Sequence, residues 1–538
     1  MKPGARQFAF KAEEITYLDR KTIHLDRAML KLFELLRADG RPLARWRRAT
    51  ITVDELVKLV MASPRRFPGF EDHETVTAAW LRSDLLQVMH RGKGERETVV
   101  GPRPLHLNAF KLANAKAVQD YGASDQVWAL LYHADRELLT RLKEFFSPAL
   151  DPMRDEYDGT TELDLETHAV LNLVDATGIR VQPRTGPTPI PVRPLCLGQG
   201  HLLAEDLRCL LAYQDAVPRQ VLAGYMRTVI GLHLALYVIR LLRLVPAQVE
   251  AALEGRSAPR CLAEERQDPR CFDCPFASEL AVDLSDDSGS RPGRLARAST
   301  ASVLGELPRY VRAVFVVNQL KDFAGLHDRM TGAAGRRTAG EFYQLVRERP
   351  ADMDGFFEGQ ILELLRLEEP DEERTRTVEL LLREEIPPLQ KLVELICGKR
   401  LPIERRRMVD LIDSLTQKNR PGGFMRQTAG QGAPRWFALD SHLLETLAQI
   451  AVVDRGSDGY LRTRVVLLNW FIDWLRTRYG FVVHAPSHRQ AVPPDEYAAW
   501  QENERQFRRR LHEIGFFTDL SDAYNSQTLR PRYQVEHA

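Results

Sequence analysis

Cys261 to Pro275 reads CLAEERQDPRCFDCP and sits near the middle of the chain, between the apolar helical patterns Val221–Val245 and Val303–Phe323. It holds three of the six cysteines, Cys261, Cys271 and Cys274, spaced C-x9-C-x2-C. A C-x2-C pair at a tight turn puts two thiolates where one tetrahedral ion can take both, so the spacing predicts a structural Zn2+ with a third thiolate from the preceding loop. Such an ion would fix a loop too polar to bury a core of its own. The spacing does not supply the fourth ligand. Cys209, Cys196, His201 and His233 all lie upstream within folding reach, and Cys209 is the candidate taken for that place. The plain alternative is a set of reduced cysteines without a metal. The expected fold class is mainly α and multidomain, with a central zinc-stapled helical domain and a C-terminal winged-helix-like module.

Working outward, residues 1–180 alternate helical patterns with short loops. Leu25, Met29, Leu32, Phe33 and Leu36 recur at helical spacing, Val53–Met61 forms a second helix before Pro64, and Thr75–Met89 a third. Leu105–Leu112 reads as a short strand, and Gln126–Phe146 as helix. Residues 181–194 carry prolines too close together for a helix and read as a stiff, extended linker. The central domain, 195–330, contains the cysteine stretch, with Leu280–Arg297 as a surface loop. A charge-rich helical domain follows over 331–417, then a linker rich in Gly, Pro and Gln at 418–435. In 436–538, a helix over Leu439–Val453, a polar turn at Arg455–Gly459, a helical region over Leu461–Tyr479 and the β-prone Phe481–Val483 give the order of a winged helix, followed by a long charged helix at Asp495–Ile514.

Composition narrows the class. The 538 residues are 44% hydrophobic and 28% charged, ordinary for a globular chain. The 75 Lys and Arg nearly cancel the 74 Asp and Glu, so no whole-molecule field draws the protein onto DNA or an anionic membrane. Six cysteines in this length make no disulfide framework, and MKPGARQFAFKAEE lacks the apolar core of a signal peptide, so a reducing cytoplasm is the expected location. In the most apolar segment the longest charge-free run, Thr228–Ile239, is 12 residues, short of the roughly 20 that span a bilayer. It reads as a buried core helix, with His233 a core residue.

No motif identifies a reaction. G-x4-G-K-[ST], H-E-x-x-H and G-x-S-x-G are absent from the sequence, as are H-x-K and E-x-K. The terminal module carries Arg462, Arg464, Arg476 and Arg478, which on a helix-turn-helix frame could grip phosphates or read guanine edges of double-stranded DNA. Asp473, Glu502, Glu504 and Glu513 are interleaved along this part of the chain, so salt-bridged surface helices or a protein-docking winged helix account for the same pattern.

Several phrases together carry a resemblance. PRCFDCPFASELAVDLSDDSGSRPGRLA, LPRYVRAVFVVNQLKDFA, LHLALYVIRLLRL and the closing LHEIGFFTDLSDAYNSQTLRPRY resemble accessory proteins of bacterial anti-phage defence islands, above all the methylation-associated defence system. ALDSHLLETLAQIAVV with WLRTRYGFVV is similar to accessory proteins of phosphorothioation-dependent restriction. The resemblance covers about half the chain. It implies a cytoplasmic component of a multi-protein system that separates self from phage DNA, acting beside methyltransferase, nuclease or ATPase subunits, and it carries no catalytic residue onto this sequence. If the family's cysteines are metal ligands, the matching positions are Cys261, Cys271 and Cys274. Three functions follow as expectations: a non-catalytic adaptor or scaffold, a DNA-binding subunit, or a nuclease or zinc hydrolase whose site is scattered in sequence.

Overall fold

The computed structural model describes residues 8–43, 51–91, 96–114, 117–151, 156–157, 161–261, 274–331, 337–366, 380–430, 432–456, 458–485, 493–516 and 527–535. The chain is mainly helical, with strands only two to seven residues long arranged in two-stranded pairs. At its centre runs a 35-residue helix, Arg219–Leu253, apolar on nearly every face because it is surrounded by other helices. By length and composition it could cross a membrane, yet its most apolar window is 94% buried inside the protein. Helices Leu197–Leu211, Leu307–Thr331 and Ala339–Glu348 pack along it. One contiguous cluster of buried apolar side chains runs from Phe10 to Val535, so the core is shared across the linkers placed at 181–194 and 418–435.

Local chemistry explains where elements begin. Val53–Met61 starts at Thr52, whose hydroxyl accepts from Glu55 N while the Glu55 carboxylate accepts from Thr52 N. The helical stretch over 126–146 is two helices, Ala123–Ala134 and Arg136–Phe146, because Asp135 turns its carboxylate to the Leu138 amide and caps the second. Gly200 lets helix Leu197–Leu211 approach Ala123–Ala134 closely: a Cβ there would stand 2.8 Å from the Leu130 carbonyl oxygen.

Several expectations are corrected. The helix placed over Thr75–Met89 ends at Trp80, and after a wide turn Leu86–Arg91 becomes a strand antiparallel to Arg96–Pro102, whose β-branched residues offer it a partner. Leu107–Leu112 is a 3-10 helix, not a strand. Leu280–Arg297 is only partly loop, because Ser290 caps a helix over Arg291–Gly305 with Pro292 in its first turn. The proline-rich arm forms no helix and is tied to the N-terminal region, where Val192 N donates to Tyr17 Oη and the Pro191 carbonyl meets His133 Nε2 at 2.9 Å.

The C-terminal order differs from that of a winged helix. Helix Ser441–Ala451 leads into a hairpin, Val453–Arg455 with Leu461–Thr463, where a turn was expected. Helix Leu468–Tyr479 then ends at Gly480, φ +81°. The strand that follows, Phe481–Val482, builds no wing with its neighbours. It pairs in parallel with Leu280–Ala281 of the central region. Gly480 makes this possible twice over, through its positive φ and because a Cβ would meet Ser278 O. Asn503, buried on helix Pro494–Glu513, ties the joint together: its Nδ2 donates to Val282 O and Val483 O, each 2.9 Å, and its Oδ1 accepts from Leu284 N at 3.1 Å.

Candidate functional site

The cysteine stretch comes first. Cys261 and Cys274 are buried, and Cys271 lies in 262–273, outside the described residues. The thiol that meets Cys261 is Cys196, at the start of helix Leu197–Leu211. The Cys261 hydrogen bond, then burial, pushes the Cys196 thiol well above its ordinary pKa, and Arg240 Nη1 approaches Cys196 Sγ at 3.8 Å. Cys209, the candidate fourth ligand, sits farther along the same helix near Asp206, where burial and then the Asp206 charge push its thiol up to about 12. Among the described residues no three His, Cys, Asp or Glu side chains are grouped to hold a metal ion. Two reduced thiols, Cys196 and Cys261, thus meet beside Arg240, short of the four ligands a structural zinc takes.

The four arginines divide by environment. Arg462 pairs with Asp458 in the hairpin, Arg464 Nε lies 3.4 Å from Asp454 with its guanidinium over Trp470, and Arg476 Nε lies 3.7 Å from Glu279. Each faces a carboxylate at or near the surface. Arg478 is 3% exposed and points inward. Its Nη1 donates to Glu205 at 2.9 Å, its Nε donates to Asp206 Oδ1 at 3.0 Å, and Nη2 bonds the same oxygen.

Asp206 is the hub of this inner cluster and is fully buried. Its Oδ2 accepts from Tyr479 Oη at 2.7 Å and from His233 Nε2 at 2.8 Å. Nδ1 of His233 then takes the amide of Gln199. This partner set assigns the Nε2–H tautomer. Burial holds His233 below its ordinary pKa, outweighing Asp206, so the ring is neutral. Burial works to raise the Asp206 pKa, but Arg478 and the hydrogen bonds from His233 and Tyr479 outweigh it and keep the carboxylate ionised. One helix supplies Asp206, the central helix His233, and helix Leu468–Tyr479 both Arg478 and Tyr479. His, Asp and Tyr side by side suggest acid–base chemistry, but every polar contact is made within the chain and the group lines none of the clefts described below. The arrangement binds three helices to one another.

Sequence reasoning noted His233 as a core residue and did not reach Gln199, Asp206 or Tyr479. The one available signal was an acid, Asp206, on the apolar side of helix Leu197–Leu211, which calls for a buried cation. Two open clefts lie elsewhere. One, about 460 Å³, runs between the central helix and helices Arg291–Gly305 and Pro494–Glu513, with Arg243, Glu279, Glu306 and Trp500 in its walls. The other, about 400 Å³, is flanked by the ion pairs Glu250–Arg309 and Arg312–Glu394.

Fold and side chains together define a mainly helical protein whose strongest polar cluster is closed to solvent and spent on its own packing. A family model described as methylation-associated defense system protein MAD7 matches residues 5–533, nearly the whole chain, and the protein belongs to that family. It is a defence-system protein, as the resemblance of its phrases implied. No curated protein matches the chain.

Proposed function

We propose that the protein is a non-catalytic adaptor of its anti-phage defence system, working in the cytoplasm beside the system's other components. The observation that carries this is the use of Asp206, His233, Arg478 and Tyr479: the group most like a reaction centre is enclosed and internally satisfied. Surfaces, not a reacting cluster, are then what the molecule offers to others. Family membership supports partners from the same system. A structural Zn2+ held by Cys261, Cys271 and Cys274 belongs to the proposal on the C-x9-C-x2-C spacing, and no described residue is grouped with both Cys261 and Cys274 as a further ligand. DNA binding through Arg462, Arg464 and Arg476 has less support, because each already faces a carboxylate.

The test is co-expression of the tagged chain with the other components, followed by purification. Recovery of at least one component in fixed ratio is expected. Recovery of the chain alone, with phage resistance unchanged on its deletion, would end the adaptor reading. Metal analysis of the same material is expected to find zinc, and a Cys261→Ser variant to lose it.

A further inference from the structure

Of the fourteen large apolar side chains exposed among the described residues, four fall in the eleven residues 460–470: Tyr460, Val465, Leu467 and Trp470. Such clustering on a folded surface marks an interaction site. The local structure shows why they face out. Val466 and Leu467 form a short strand paired with Leu529 and Thr528, so Val466 turns into the core and Leu467, 55% exposed, turns away. Val465 is 53% exposed, and Trp470, in the first turn of helix Leu468–Tyr479, lies under the Arg464 guanidinium at 5.2 Å.

The charge around this patch decides what could cover it. Asp454 faces Arg464 and Asp458 faces Arg462, while Asp473 lies 3.5 Å from the ring of His484. Arg455, in the hairpin, and Arg530, next to the Leu529 that pairs with Val466, are exposed and have no ion-pair partner among the described residues. Among the described residues, two unpaired arginines thus outnumber the one carboxylate that no arginine faces, Asp473, around an apolar centre with a Trp and an Arg, residue types enriched at the energetic centres of protein interfaces. Exposed aliphatics such as Val465 and Leu467 suit a protein side chain better than a phosphate backbone.

We propose that Val465, Leu467 and Trp470, rimmed by Arg455 and Arg530, dock an apolar segment with acidic flanks from another component of the defence system. This rests on the adaptor reading and says where that adaptor is gripped. The apolar residues supply the affinity and the arginines the orientation and the rate of encounter.

The experiment compares the tagged wild-type chain, Val465→Asp/Leu467→Asp, Arg455→Glu/Arg530→Glu and the control Leu165→Asp, each co-expressed with the other components. Leu165 is 71% exposed and lies on another part of the fold. Thermal unfolding of each purified variant guards against misfolding, and the charge-reversal pair is an independent probe should the aspartate pair fail to fold. Recovery of one component is expected to fall at least about tenfold in both patch variants and to hold in the control. Equal recovery with wild type and patch variants overturns this proposal alone, whereas no component recovered with the wild type overturns the adaptor reading and this with it. Three other results overturn the proposal: loss of self-association in the aspartate pair, which makes a second copy the occupant; loss of binding to labelled single-stranded or duplex DNA, which makes nucleic acid the occupant; or a gain in apolar-dye binding when 517–526 is replaced by Gly and Ser, which shows that the chain covers the patch itself.

Discussion

Arg464 and Arg478 belong to one stretch of sequence and are indistinguishable in it, yet they do opposite work. Arg464 lies over an exposed tryptophan and shares a loose contact with Asp454 in water. Arg478 is sealed between three helices with Asp206, Tyr479 and the edge of Glu205. The difference teaches that charge pattern alone does not mark a binding surface. The contacts behind the two arginines separate them, one left at the surface and one built into the core.

The largest effect should come from breaking the inner group. Asp206→Ala leaves a buried guanidinium without its main counter-charge and also frees His233 and Tyr479, so denaturant unfolding should show a loss of about 3–5 kcal/mol. A loss under about 1 kcal/mol would put Arg478 in the same class as Arg464 and dissolve the contrast. Next is Asn503→Leu, which keeps the side-chain size but orphans two carbonyls and an amide where strand Phe481–Val482 meets Leu280–Ala281. A cost of about 1–3 kcal/mol is expected, read in the same way.

Acid sharpens the comparison more gently. Burial lowers the pKa of His233 and, with less burial, of His24, His201 and His442. The unfolded chain therefore binds more protons than the folded one once pH falls below about 6.5, so stability is full above that value and declines beneath it. Asp206, whose folded pKa is also depressed, adds a second loss of the same sign below about 3.9, as pH falls through the folded pKa. Melting temperature followed from pH 8 downward should drop, and His233→Gln should flatten the part near neutrality. The smallest effect is Arg464→Ala, under about 1 kcal/mol in stability, since an exposed pair with Asp454 is screened by solvent.

Much of the helical framework was legible. Thr52 and Glu55 announce the helix that follows them, and the apolar run after Val221 announces the core helix, because both signals are local. Legibility failed where a partner distant in sequence decides the outcome. Met425–Gln427, inside a stretch read as linker, pairs with Arg435–Phe437 at its end, and the Leu461–Leu467 strands lie inside one read as helix, since Val535, Leu529 and Thr528 hold them. The inner group failed for the same reason: nothing near Arg478 in sequence says that Asp206 awaits it. Cys196 meets Cys261 across a long stretch of sequence, a fact of path and not of spacing.

The two-residue parallel pairing of Leu280–Ala281 with Phe481–Val482 has a consequence for how the molecule comes into being. During synthesis the middle of the chain waits, with one strand unmated and the Val282 carbonyl without its Asn503 partner, until the final helices emerge from the ribosome. Premature termination anywhere before Asn503 therefore damages the centre as much as the end, and a shortened product would be a target for proteolysis in place of a smaller working version.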